Sequence, residues 1–151
     1  MPEPFAATVR AAHRDDLPSM RTLLRDNGLP VDGVDAHADG FLVAEHAGAL
    51  IGMVGLEHYG DAALLRSLVV HERARGTGLG AQLVRAIEAA ASQGGALTLV
   101  LLTTTAAAWF PRFGFVTTTR EAVPVSVTAS VEFLGACPAS ATVMQKTLRG
   151  L

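Results

Sequence analysis

At 151 residues the chain has the length of one domain and can bury about 70% of its unfolded surface; half its residues are hydrophobic, so it is globular rather than disordered. A net charge of −2 argues against a nucleic-acid binder held by phosphates, and the longest strongly apolar run, ALTLVLL, falls far short of a membrane span. The lone Cys137 excludes an internal disulfide and a thiolate zinc cluster.

Eleven of the twelve basic residues are Arg, a bias that suits planar anion recognition and that high-GC coding also produces. The opening MPEPFAATVRAAHRDD lacks a basic start followed by an apolar stretch, so no signal peptide is expected and the chain reads as cytoplasmic. No repeat or linker interrupts it, and residues 1–151 read as a single domain.

In chain order, ATVRAA (6–11) reads as a short strand, and 14–27 as a helix with Leu17, Met20, Leu23 and Leu24 on one face and Gly28 as its stop. The acidic, Gly-rich stretch 28–40 reads as a loop with one helical turn. Two strands, about 41–46 and 49–58, then flank a tight Ala-Gly turn, and AALLRSLVV makes a third. After a glycine cluster, Leu79, Leu83, Val84, Ile87, Ala90 and Ala91 share one helical face, and Gly94-Gly95 ends the helix. ALTLVLLT is a buried strand, and AAAWFPRFGF a short helix running into a strand at Phe115. VPVSVTASVEFLG fits a strand by its β-branched content and a helix by Pro124, Val127, Val131 and Leu134; ATVMQKTL is a closing strand. Strands in runs around a central βαβ unit give an α/β or α+β fold on one mixed sheet.

The glycines at 76, 78 and 80 stand where a strand hands over to a helix. A helix N-terminus presents unpaired N–H groups and a positive dipole end, and glycine lets an anion approach the backbone closely. Arg75 adds a positive charge beside those amides. An ordinary tight turn would also use glycines. A P-loop is excluded, because Ala81 rather than Lys follows Gly80. Gly76, Gly78 and Ala81 formally satisfy the dinucleotide fingerprint, but no acidic residue falls between Glu88 and Glu121 to hold a ribose.

The remaining pattern, R-x-x-G-x-G from Arg75 through Gly78 to Gly80, resembles the acetyl-CoA loop of the GNAT N-acetyltransferases. The entering strand LLRSLVV, the following helix and the later FPRFGF match that family in order. The resemblance implies an α/β (α+β) GNAT fold, with a mixed, mostly antiparallel sheet flanked by helices and splayed strands at the acetyl-CoA site. It implies that Leu68, Val69 and Val70 pair with pantetheine and polarise the thioester. The amides of Arg75, Gly76, Thr77, Gly78, Leu79 and Gly80 would hold the pyrophosphate. No metal is required, because a neutral amine attacks the thioester directly. Two positions depart from the family: Phe110 stands where a proton-donating Tyr is common, and Thr103 where an Asn is common. A thiol leaves readily as thiolate, so the missing acid need not abolish activity.

Glu57, on a strand beside the acetyl-CoA strand, is the candidate general base, with a solvated strand residue as the competing reading. His58 faces the other way by strand alternation. Tyr59, Arg66, Thr104 and Thr105 are substrate-contact candidates, with Arg66 suited to a bidentate hold on a carboxylate. The alternative for Glu57 and Arg66 is an exposed surface pair. His13, His37, His46 and His71 have no metal-ligand spacing, and Cys137 reads as a small apolar residue rather than a nucleophile. GLEHYGDAALLRSLVV, LLTTTAAAWFPRFGF and EFLGACPASATVM are similar to the arsenic-resistance N-acetyltransferase branch. The resemblance implies a small-molecule amine as acceptor, organoarsenical or amino-acid-like, and a homodimer as in much of the family. The reading from another class is a non-catalytic acyl-CoA-binding sensor.

Overall fold

A computed structural model of the protein describes residues 7–148; Ala6 of the first expected strand, and residues 1–5 of the stretch read for a leader, lie outside them. Seven strands make one sheet: β1 (Thr8–Ala11), β2 (Phe41–His46), β3 (Ala49–Tyr59), β4 (Ala62–Val70), β5 (Thr98–Thr103), β6 (Val116–Thr118) and β7 (Thr142–Thr147). Their order is β1-β2-β3-β4-β5-β7-β6. β4 and β5 run parallel, while the pairs β1/β2, β2/β3, β5/β7 and β6/β7 are antiparallel. Helices α1 (Leu17–Asp26) and α2 (Leu79–Gln93) flank the sheet. No helix among the described residues is long and apolar enough to cross a membrane.

The described residues fall into two compact units, one holding those up to Leu56 together with Ser67–Ile87, the other Glu57–Arg66 and those from Glu88 on. In the first, α1 buries Leu17, Met20, Leu23 and Leu24 against Phe41, Val43, Met53 and Val69. Four such side chains contribute roughly 8 kcal/mol of gross burial. Asn27 caps the end of α1, its Nδ2 donating to the Leu23 carbonyl at 2.8 Å. The β2–β3 turn is the expected Ala47-Gly48 pair, both with positive φ, as a two-residue hairpin requires. Gly55 is a packing glycine: a Cβ there would stand 2.4 Å from the Phe41 ring.

In the second unit, β5 keeps its pairing with β7 along all six residues, from Thr98 to Thr103. Its parallel register with β4 covers Ala62–Leu64 against Thr98–Val100. Beneath these strands pack Val123, Val127, Val143, Tyr59 and Phe133. The ambiguous segment is neither a strand nor a regular helix. It forms a 3-10 turn (Val125–Ala129) and then a widened turn (Glu132–Ala136) whose amides of Ala136 and Cys137 reach back five residues, to Val131 and Glu132. AAAWFPRFGF likewise forms a single 3-10 turn, Phe110–Phe113, before β6.

Candidate active site

The glycine loop lies between β4 and α2, in the first unit. Gly76 and Gly78 have φ of +80° and +88°, and no atom lies within 4 Å of where a Cβ would be at either. The left-handed backbone requires glycine, and the open space leaves room for an anion beside the backbone. Gly80 needs no such freedom, since it lies inside α2, whose first turn closes with the Gln82 N–H donating to the Gly78 carbonyl at 3.1 Å. Thr77 Oγ1 donates to the Ala74 carbonyl at 2.5 Å, fixing the loop from within. Arg75 is held at two points: Nε donates to the Val70 carbonyl at 3.2 Å and Nη2 to Oδ1 of Asn27 at 2.9 Å. Of the three expected pantetheine partners, Val69 is buried in the core while Leu68 and Val70 are half-buried. Just before them, Ser67 takes φ +59°, a value non-glycine residues rarely adopt, which marks an irregularity in β4 that the sequence reading did not foresee.

The second unit holds a buried charge cluster. Glu57 is 0% exposed and Arg66 2% exposed, and Arg66 Nη1 lies 2.7 Å from Glu57 Oε2. On its other side Arg66 Nε lies 3.4 Å from Oε2 of Glu132, itself 3% exposed. Tyr59 donates its hydroxyl to Glu57 Oε1 at 2.5 Å and is the one partly exposed member of this set. Burial, and then that hydrogen bond, push the Tyr59 phenol up to about 12. The pair is therefore neither two solvated strand residues nor a surface ion pair, and Arg66 spends its guanidinium on two carboxylates of its own unit. Sequence reasoning missed Glu132. Its signal was available: it is the only charged residue between Glu121 and Lys146.

Thr103 Oγ1 accepts from the Ala106 amide at 3.0 Å and so turns the chain after β5, while Thr104 and Thr105 are exposed in that turn. Phe110 is buried, edge-on to Trp109 and Phe115 with centroids 5.1 and 5.6 Å away. It packs and offers no proton. His58 is exposed, as strand alternation requires beside buried Glu57. Burial and the neighbouring Glu132 push the Cys137 thiol up to about 12, which suits an unreactive residue. No group of three or more His, Cys, Asp or Glu among the described residues could hold a metal ion.

The sequence profile described as "Acetyltransferase (GNAT) domain" matches residues 37–117, more than half of the chain, from the approach to β2 through β6. The chain belongs to the GNAT acetyltransferases. No curated protein sequence matches it. Among solved structures, it superposes on N-acetylglutamate synthase from Neisseria gonorrhoeae, complexed with coenzyme A and N-acetyl-glutamate, with a TM-score of 0.82 at 24% identity. That match covers 95% of this chain but 35% of the synthase, so the chain spans about a third of that protein's length. A GNAT-family acetyltransferase from Staphylococcus aureus Mu50 gives a TM-score of 0.77 at 14% identity, covering 95% of this chain and 100% of that one. The GNAT family protein YhbS from Escherichia coli, in complex with CoA, gives 0.67 at 22% identity, covering 99% and 85%. At these identities the likeness speaks for the fold.

Proposed function

We propose that this GNAT domain transfers acetyl from acetyl-CoA to the primary amine of a small molecule by direct attack, without a metal. The observation that carries the reading is the loop itself: two obligatory left-handed glycines with open space beside them, at the N-terminus of a 15-residue helix, flanked by a guanidinium. The amides from Arg75 to Gly80 hold the pyrophosphate, and the backbone of Leu68 to Val70 pairs with pantetheine. Glu57 accepts the amine's proton. Both its oxygens are already engaged, so the proton reaches it by way of the Tyr59 hydroxyl. Arg66 holds Glu57 in place rather than clamping a substrate carboxylate; Thr104 and Thr105 remain the proposed acceptor contacts after β5. The resemblance to the arsenic-resistance branch supports an organoarsenical or amino-acid-like acceptor, and the GNAT family at large supports a homodimer.

The test is acetyl-CoA consumption against a panel of small amines, with mass-spectrometric detection of the N-acetyl product. The expected result is amine-dependent release of CoA. Tight acetyl-CoA binding with no turnover on any amine would favour the sensor reading, which draws its support from Phe110 standing where the family usually has a proton donor.

A further inference from the structure

The glycine loop, proposed above to take the pyrophosphate, carries a single arginine, and a guanidinium on a flexible stem loses less freedom on binding an anion if something already holds it. Arg75 lies on the surface, where an unheld side chain of this length samples many rotamers. Here it is restrained from two sides. The Val70 carbonyl, which has two lone pairs and so can serve Arg75 as well as a ligand, accepts from Nε at 3.2 Å. The second restraint comes from a different part of the chain, 48 residues earlier: Oδ1 of Asn27 accepts from Nη2 at 2.9 Å.

Asn27 can play this part because its own amide is fixed. Its Nδ2 donates to the Leu23 carbonyl at 2.8 Å, in the last turn of α1, which leaves Oδ1 turned towards Arg75. α1 in turn is anchored by Leu23 and Leu24, both buried in the core. The restraint therefore runs from a packed helix, through one amide, to the charged end of Arg75. An aspartate at this position would hold the guanidinium as well but would cancel the charge that the loop presents. Asn27 holds it and leaves the charge intact.

The geometry points to Asn27 as the positioning residue for Arg75: the end of α1 preorganises the guanidinium that faces the acetyl-CoA pyrophosphate. The assignment rests on the transferase reading of the loop. Its consequence is that Asn27 affects cofactor affinity through Arg75 and by no other route.

A double-mutant cycle on CoA affinity, read by calorimetry, tests this. Asn27→Leu is expected to weaken CoA binding threefold to tenfold, and Arg75→Gln by tenfold or more. In the Arg75→Gln background Asn27→Leu should then change nothing further. If Asn27→Leu does not fold, Asn27→Ala serves in the same cycle. A loss on mutating Asn27 that persists undiminished without Arg75, or no loss at all, overturns the assignment, because a residue that merely caps α1 would lower thermal stability without this dependence on Arg75. A wild-type protein that does not bind CoA would overturn the transferase reading itself, a result distinguishable from either failure of the cycle.

Discussion

The glycine loop and the charge cluster are built by opposite means. The loop is exposed and made largely of backbone; of its side chains, Thr77 closes it onto the Ala74 carbonyl and Arg75 is itself held by the Val70 carbonyl and Asn27. The cluster is buried and made of side chains, with one guanidinium between two carboxylates and a phenol on the outer side. A backbone site binds what comes from solution and costs little to leave empty. Charges buried in a core must satisfy one another at all times, so the cluster serves the stability of its unit as much as any proton transfer.

The largest expected effect follows from that difference. Arg66→Met leaves Glu57 and Glu132 as buried carboxylates without their shared cation, at a cost of about 3–5 kcal/mol in urea unfolding at neutral pH. Adding Glu57→Gln and Glu132→Leu should recover most of the loss, because an apolar replacement of a whole buried set is tolerated where a broken one is not. A single mutant as stable as wild type would mean the cluster is not the closed unit described here.

Gly78→Glu tests the other region. Acetyl-CoA affinity should fall at least tenfold, about 1.4 kcal/mol, with the fold retained. Because Gly78 has φ +88°, any side chain there is strained, so Gly78→Ala is the necessary companion. Alanine should lose about 1 kcal/mol of stability, as a left-handed non-glycine residue does, and keep most of the affinity. Equal losses of affinity in both would assign the effect to backbone shape rather than charge.

A third measurement sets the scale with a partly exposed pair. Asp16 accepts from Arg10 at 2.8 and 3.0 Å, and this contact holds its carboxyl down at about 2. A carboxylate whose pKa is lower folded than unfolded stabilises fully above about 4, its unfolded value, and the contribution disappears as pH falls through about 2. Asp16→Asn should therefore cost no more than about 1 kcal/mol near pH 6 and progressively less below about pH 4, vanishing only below about pH 2, as followed by thermal unfolding across that range.

What could be read in advance followed the same division. α1, the β2–β3 hairpin, β4 and α2 were legible because periodicity and turn residues agree locally. The loop was legible because three glycines leave few alternatives. The cluster was half visible: Glu57 and Arg66 are lone charges in apolar strands, and a lone charge in an apolar run needs a partner. The second carboxylate on Arg66, Glu132, lies on a widened turn that follows neither the 3.6 nor the 2.0 period, so its direction was hidden in a segment that fitted both. The positive φ of Ser67 has no compositional signature at all, since serine is not a residue that advertises it.

Lys146 is the only lysine in the sequence. Its ammonium lies 2.8 Å from Glu88 Oε1 and 6.0 Å from the centre of the Phe115 ring. The transferase proposed above would work beside an acyl thioester, which slowly acylates amines without catalysis, and an ammonium must lose its proton before it can react. The sequence therefore offers a thioester a single side-chain amine. Acetyl-lysine found on the recovered protein by mass spectrometry would report on that one side chain.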